Sequence, residues 1–161
     1  MRIGLLSDTH SYLDPAIFDH FANCDEVWHA GDVGLDTVAK QLAQFKPLRI
    51  VSGNIDDPGV YPENLRFEVG GVRVWMTHIG GKPPRYNPTV RPQLLTNPPD
   101  LFICGHSHIL LVMRDPTRKQ LLFINPGAAG RSGFHIMRTC LRFTLNEGRI
   151  SDMQVIELGK R

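Results

Sequence analysis

Short apolar runs alternate with amphipathic ones along the first third of the chain, and each apolar run stops abruptly at a polar residue. Ile3–Leu6 reads as a buried strand, and Pro15–Ala22 as a helix with Pro15 suited to its first turn. Glu26–His29 is the next strand. Asp36–Phe45 places Val38, Leu42 and Phe45 on one helical face, and Pro47 stops that helix before a third strand at Arg49–Ser52. Strand, helix, strand, helix, strand in that order predicts a parallel sheet with right-handed crossovers. Ligands of such sheets bind beyond the carboxyl ends of the strands.

The pattern then changes. Leu65–Val69 and Val72–Thr77 flank Gly70-Gly71 and predict a hairpin. Six of the twelve prolines crowd into Pro83–Pro99, around a short helix at Val90–Thr96. Such a stretch serves as a lid, a rigid wall or a plain surface connection. Leu101–Cys104, Ile109–Met113, Gln120–Ile124, Cys140–Leu145 and Ile150–Glu157 predict further strands, with Asn146-Glu147-Gly148 turning the last pair. Parallel pairing first and antiparallel pairing later predicts two packed sheets with outer helices. No linker-like break divides the chain, so residues 1–161 read as a single domain.

Composition narrows the function classes. A chain of 161 residues, 42% hydrophobic and 21% charged, has ordinary globular usage and buries a core without staples. A net charge of +2 on scattered basic residues argues against an anionic membrane or long nucleic acid, whose binding relies on many phosphate contacts. Cys24, Cys104 and Cys140 are odd in number and lack zinc-type spacing, which points to a reducing, cytoplasmic location. The opening apolar run is too short for a secretion signal, and no run approaches a membrane span.

The candidate chemistry sits where the apolar runs end: Asp8-Thr9-His10, Gly31-Asp32, Gly53-Asn54, Thr77-His78 and Gly105-His106-Ser107-His108. Asp8 and His10, like His106 and His108, are two residues apart and project from one side of an extended segment. Each island alone has an ordinary reading: Asp8 or Asp32 caps a helix, Asn54 makes a turn, His78 is a hydrogen-bonded histidine. Five in order, each at a strand end, outrun those readings. Two carboxylates, an amide and four imidazoles suit manganese, iron, zinc, nickel or cobalt better than calcium or magnesium. A carboxylate can also bridge two ions.

This ordered set, D-x-H, G-D, G-N, T-H and G-H-S-H, resembles the calcineurin-like metallophosphoesterases, and in size their small single-domain prokaryotic phosphodiesterase branch. The resemblance implies an α/β fold, a four-layer α-β-β-α sandwich of two mixed sheets flanked by helices. It implies two divalent metal ions, manganese first, with nickel, iron, zinc or cobalt as alternatives. Asp8, His10 and His108 then hold one ion, Asn54, His78 and His106 the other, and Asp32 bridges, with Asp32, Asn54 and His78 counted as catalytic. The implied activity is hydrolysis of a small phosphodiester by in-line attack of hydroxide bridging the metals. A phosphomonoesterase or pyrophosphatase on the same site is an alternative. So is a non-catalytic interaction scaffold, as one retromer subunit of this fold is, although such a binder is expected to have lost ligands that this chain keeps. Homo-oligomerisation is left open.

One departure stands out. Many relatives carry histidine after the G-N pair, where this chain has Ile55, which neither donates a proton nor binds an oxyanion. Expulsion of poor leaving groups is expected to suffer. His29, three residues before Asp32, reads either as a partner that orients a ligand or as a strand end. His20 reads as a helix-surface residue, and His135 follows a flexible Gly130–Gly133 stretch near enough to approach substrate. Arg131, Lys82 and Arg85 are candidate phosphate contacts, with solvated surface charge the stronger competing reading. Asn125-Pro126-Gly127 reads as a structural turn, and Ser7, Thr9 and Ser107 do not form a nucleophilic triad.

Overall fold

A computed structural model describes all 161 residues. Its elements in chain order are β1 (Arg2–Leu6), α1 (Ala16–His20), β2 (Glu26–His29), α2 (Asp36–Phe45), β3 (Leu48–Ile50), β4 (Asn64–Val69) and β5 (Val72–Thr77). There follow β6 (Gly81–Lys82), β7 (Arg85–Tyr86), α3 (Arg91–Thr96), β8 (Leu101–Ile103), β9 (Leu110–Arg114), β10 (Leu122–Pro126), β11 (Met137–Asn146) and β12 (Arg149–Lys160).

Alternation along the strands sorts side chains into three apolar layers. Val74 and Met76 point into the central cluster while Trp75 between them joins the outer one; Phe102 and Phe123 behave the same way between their neighbours. On the other sheet Ile3, Leu5, Trp28, Leu141 and Phe143 face the centre, and Leu6, Val27 and Cys140 face the helices. Three layers of apolar packing require four layers of backbone, and these are α1 and α2, a five-stranded sheet, a second five-stranded sheet, and the α3 segment. The expected four-layer sandwich is therefore the observed fold.

In the first sheet β1, β2 and β3 are parallel, with β11 and β12 antiparallel beyond β1; in the second, β5, β8 and β10 are parallel, flanked by antiparallel β4 and β9. Register matters for the site. Leu6 pairs with His29 and His29 with Ile50, so three strands end on one level. Met76 pairs with Ile103 in the facing sheet, which levels β5 and β8. No helix is long and apolar enough to cross a membrane.

Several boundaries differ from expectation. The first helix spans only Ala16–His20 because Pro15 is its cap and the chain turns at Phe21. The strand expected from Gln120 begins at Leu122, since Leu121 donates its N–H to Arg118 and closes a turn. Strands β11 and β12 run longer than their apolar cores, continued by mutual pairing through two register shifts. The proline-dense segment is an outer wall: Tyr86, Val90 and Leu94 bury against Trp75, Phe102 and Phe123.

Candidate metal centre

The level strand ends deliver all five polar islands to one edge of the sandwich, and backbone bonds continue the pairing past the strands. Asp8 N–H donates to Gly31 O at 2.9 Å, His10 N–H to Asp32 O at 3.0 Å, and Gly105 N–H to His78 O at 3.0 Å. The loops must then turn their side chains inward sharply. Asp8, His10, Asp32, His106 and His108 all take positive φ, from 45° to 69°, a region costly for residues with a Cβ. Backbone strain at five of the seven expected ligands marks where the fold places chemistry above local comfort. Gly53 and Gly105 serve the same crowding, since a Cβ on the first meets the Asp32 carboxylate and on the second the Ser7 hydroxyl and Asp8 carboxylate.

The side chains converge into two groups that share one member. Ligand atoms of Asp8, His10, Asp32 and His108 lie within 4.8 Å of one another, as do those of Asp32, His78 and His106. Asp32 belongs to both. Asn54 joins the second group through its Oδ1, 2.9 Å from His106 Nδ1. All seven expected residues are brought together.

The donor set fits cations and little else. His10 and His108 aim their Nε2 atoms at each other across 3.3 Å. His108 Nε2 is also 3.1 Å from Asp8 Oδ1, and His10 Nε2 3.5 Å from Asp32 Oδ2. His78 Nδ1 lies 2.7 Å from Ala30 O, which only accepts, so Nδ1 carries the proton. Its Nε2 is buried without a hydrogen-bond partner; Asp32 Oδ1 at 3.3 Å and Asp8 Oδ1 at 3.8 Å are approaches too poorly aligned to serve. A nearly buried lone pair facing two nearly buried carboxylates is the arrangement a divalent ion completes. Burial pushes the Asp32 pKa up, but His78, the Ile55 N–H and His10 outweigh it and hold the carboxyl down at about 2. Burial opposes charge on His78, while Asp32 and Asp8 raise its pKa above the ordinary imidazole value.

Three further residues brace the loops. His29 is not a ligand. Its Nδ1 accepts from Gly31 N–H at 3.2 Å, which leaves the proton on Nε2 to donate to Thr9 Oγ1 at 2.9 Å; Thr9 donates on to Val33 O at 2.9 Å. Burial pushes its pKa down to about 4, so it stays neutral and ties the Asp8 loop to the Asp32 loop. Asn125 donates from Nδ2 to Gly105 O at 2.7 Å and to Ser107 Oγ at 3.0 Å, so the expected structural turn also steadies the His106 loop. Asp56 was given no role from sequence. Its Oδ1 accepts from Val33 and Gly34 N–H, both at 2.9 Å, and its Oδ2 from Gly53 N–H at 2.8 Å. The only local signal was an acid two residues after Asn54.

The remaining candidates sort by geometry. Ile55 is 45% exposed and holds Asp32 Oδ1 through its backbone N–H at 3.1 Å. Arg131 lies over the Tyr12 ring at 4.2 Å and donates to its hydroxyl at 3.0 Å, so it is engaged. His135 donates from Nε2 to Gly130 O at 2.9 Å and packs edge-on to His108. Lys82 and Arg85 face each other on the β6–β7 ribbon, and Lys82 lines a cavity beside His106.

A two-sheet sandwich presenting a carboxylate–imidazole cluster at its strand ends defines an α/β protein with a metal-binding edge. The chain matches the calcineurin-like phosphoesterase superfamily domain over residues 1–148, and it belongs to that family. A probable metallophosphoesterase from Methanothermobacter thermautotrophicus is 30% identical over 135 residues, covering 80% of this chain and 77% of its own. Among solved structures, an archaeal phosphodiesterase superposes with a TM-score of 0.79 at 20% identity, covering 98% of this chain and 100% of that one. Vps29 from Entamoeba histolytica, complexed with zinc, superposes with a TM-score of 0.74 at 16% identity, covering 98% and 99%. At those identities the two structures show the fold alone.

Proposed function

We propose that the protein is a dinuclear metal-dependent phosphodiesterase acting on a small phosphodiester. The observation that carries the reading is Asp32, whose carboxylate belongs to both ligand groups. Asp8, His10 and His108 would hold one cation, Asn54, His78 and His106 the second, and Asp32 both, with manganese the first choice for this oxygen and nitrogen set. When bound, such a pair supplies Lewis acidity and a nucleophilic hydroxide near neutral pH.

The chain's own residues favour a diester over a monoester. A monoester dianion gains from additional cationic contacts, yet Ile55 occupies the position next to Asn54 and Arg131 is turned onto Tyr12, which leaves Lys82, in the cavity beside His106, as the one candidate cation there. Asn54 and His106 are the exposed ligands and therefore the ones nearest incoming substrate. His78, with Nδ1–H fixed on Ala30 O, keeps Nε2 directed into the cluster. Ile55 offers no proton to a departing oxygen, so good leaving groups are cleaved fastest. The three free, buried cysteines support a reducing cytoplasmic setting.

The test is hydrolysis of bis(4-nitrophenyl) phosphate by metal-stripped protein before and after Mn²⁺, with Asp32→Ala alongside. Metal-dependent turnover that falls at least a hundredfold in the variant is the expected result. Turnover of 4-nitrophenyl phosphate but not of the diester would replace the reading with a monoesterase, and Mn²⁺ binding with neither activity would replace it with a binding protein.

A further inference from the structure

Two cavities, one of mixed lining and one mainly apolar, flank the second ligand group. One, of about 450 Å³, is lined by Asn54, Glu63, Asn64, Thr89 and Gln93 among others, a wall of hydrogen-bonding groups. The other, of about 350 Å³, lies beside His106 and is walled by Ile79, Ile109, Leu111 and Phe123, with Lys82 as its one permanent charge. Ile79 borders both. They also meet where Asn54 Oδ1 and His106 Nδ1 are 2.9 Å apart, which is the exposed side of the cluster. Both volumes fall in the range of about 300–1,000 Å³ usual for small-molecule sites.

The apolar cavity has a built floor and an open wall. Phe123 is 1% exposed, while Ile79 is 38% and Ile109 62% exposed, each directly following a ligand histidine. Scattered surface isoleucines need no explanation, but these two join Leu111 and Phe123 around one hollow rimmed by polar groups, the pattern of a ligand groove. A group bound there removes that apolar surface from water, and Lys82 excludes a cationic one.

Resting on the phosphodiesterase reading, we propose that the cavity walled by Ile79, Ile109, Leu111 and Phe123 receives one ester arm of the substrate. The preferred diester is then unsymmetrical, with an alkyl or aromatic arm on the His106 side and a hydroxyl-rich, sugar- or nucleoside-like arm on the Thr89 side. Glu63, Asn64 and Gln93 accept and donate hydrogen bonds to such hydroxyls.

The experiment measures binding of methyl-, butyl- and hexylphosphonate to the manganese-loaded protein by calorimetry, so turnover is not required. A buried methylene contributes about 0.8 kcal/mol, or about fourfold in affinity, and about half that free energy, or about twofold, in a partly open groove. Hexylphosphonate is therefore expected to bind at least thirtyfold tighter than methylphosphonate, on the order of twofold per methylene over five. Ile109→Ser, at an exposed position, and Leu111→Ala should each flatten the series, while Val155→Ser on the far edge strand leaves it unchanged. A flat series, or one that Ile109→Ser does not alter, overturns the assignment. Bis(4-nitrophenyl) phosphate turnover on the same samples separates the two readings. Turnover with a flat series overturns only the cavity assignment, and a steep series without turnover overturns only the phosphodiesterase.

Discussion

Replacing Asp56 tests whether the two metal-carrying loops are clasped by one carboxylate. Its oxygens are not equivalent: Oδ1 takes the Val33 and Gly34 N–H groups, and Oδ2 takes Gly53 N–H, with Val33 at a longer 3.2 Å. Asp56→Asn keeps Oδ1 and turns an amide N–H toward Gly53, so it releases the Asn54 loop and spares the Asp32 loop. Asp56→Ala releases both. A hydrogen bond to a charged group contributes about 1.5–3 kcal/mol, and a buried N–H left unpaired costs about 1–3 kcal/mol. Val33 is buried, whereas Gly34 and Gly53 have some access to water that softens the loss. The metal-free protein should thus lose about 2 kcal/mol in the asparagine variant and about 4 kcal/mol in the alanine variant. Urea unfolding of metal-stripped protein reads both values, with m unchanged. Manganese titration supplies the second readout: bracing groups behind ligands typically contribute about 10–100-fold in affinity. With two cations bound as proposed, the asparagine variant should weaken one binding event, and the alanine variant both. Equal losses in the two variants, or changes below about 0.5 kcal/mol in each, would refute the clasp, because surface substitutions without a specific role stay within that range.

Two further predictions concern chemistry and acid stability. Ile55→His places a proton donor beside Asn54, so the dependence of turnover on leaving-group pKa across a series of aryl and alkyl diesters should flatten; an unchanged slope would show that departure needs no acid at that position. Asp115 is buried, which alone would raise its pKa, but hydrogen bonds from Tyr86, Thr117 and Arg118 hold it at about 2. Its folded-state pKa is depressed, so its stabilisation is present above about pH 4 and is lost as pH falls toward about 2, roughly 2 kcal/mol in all. Urea midpoints at pH 5 and pH 2.5 should therefore converge in Asp115→Asn relative to the parent, and parallel losses in the two proteins would rule the account out.

The sequence made the site legible because its residue types are scarce and its positions are regular. Carboxylates, imidazoles and an amide gathered at the ends of buried strands have few structural uses, and five such ends in one chain point to one edge. The sandwich was legible for a related reason: Val74, Trp75 and Met76 look like a featureless apolar run, but a strand buried on both faces looks just so. What stayed hidden depends on partners far away in the chain. Asp56 acquires its role from Val33 and Gly34, more than twenty residues earlier, and no local pattern announces that. The proline-dense segment offered no periodicity to show that Tyr86, Val90 and Leu94 would cover the second sheet. His29 kept two readings until the Thr9 hydroxyl was found within 2.9 Å of its ring.

The braces and the strained ligands explain each other. Positive φ at Asp8, His10, Asp32, His106 and His108 costs on the order of 1–3 kcal/mol at each position, so these loops would relax if nothing held them. The groups that hold them lie within the protein: Asp56 for Asp32 and Asn54, His29 through Thr9 for Asp8 and His10, Asn125 for His106, and Asp8 itself, whose carboxylate accepts His106 N–H at 3.2 Å. Most of these braces end on backbone, so the imidazole nitrogens stay directed into the cluster, while Asp8 and Asp32 each also accept one backbone N–H. A cation entering a cluster braced in this way would gain its ligands at less cost in chain ordering than at a site that folds only when loaded.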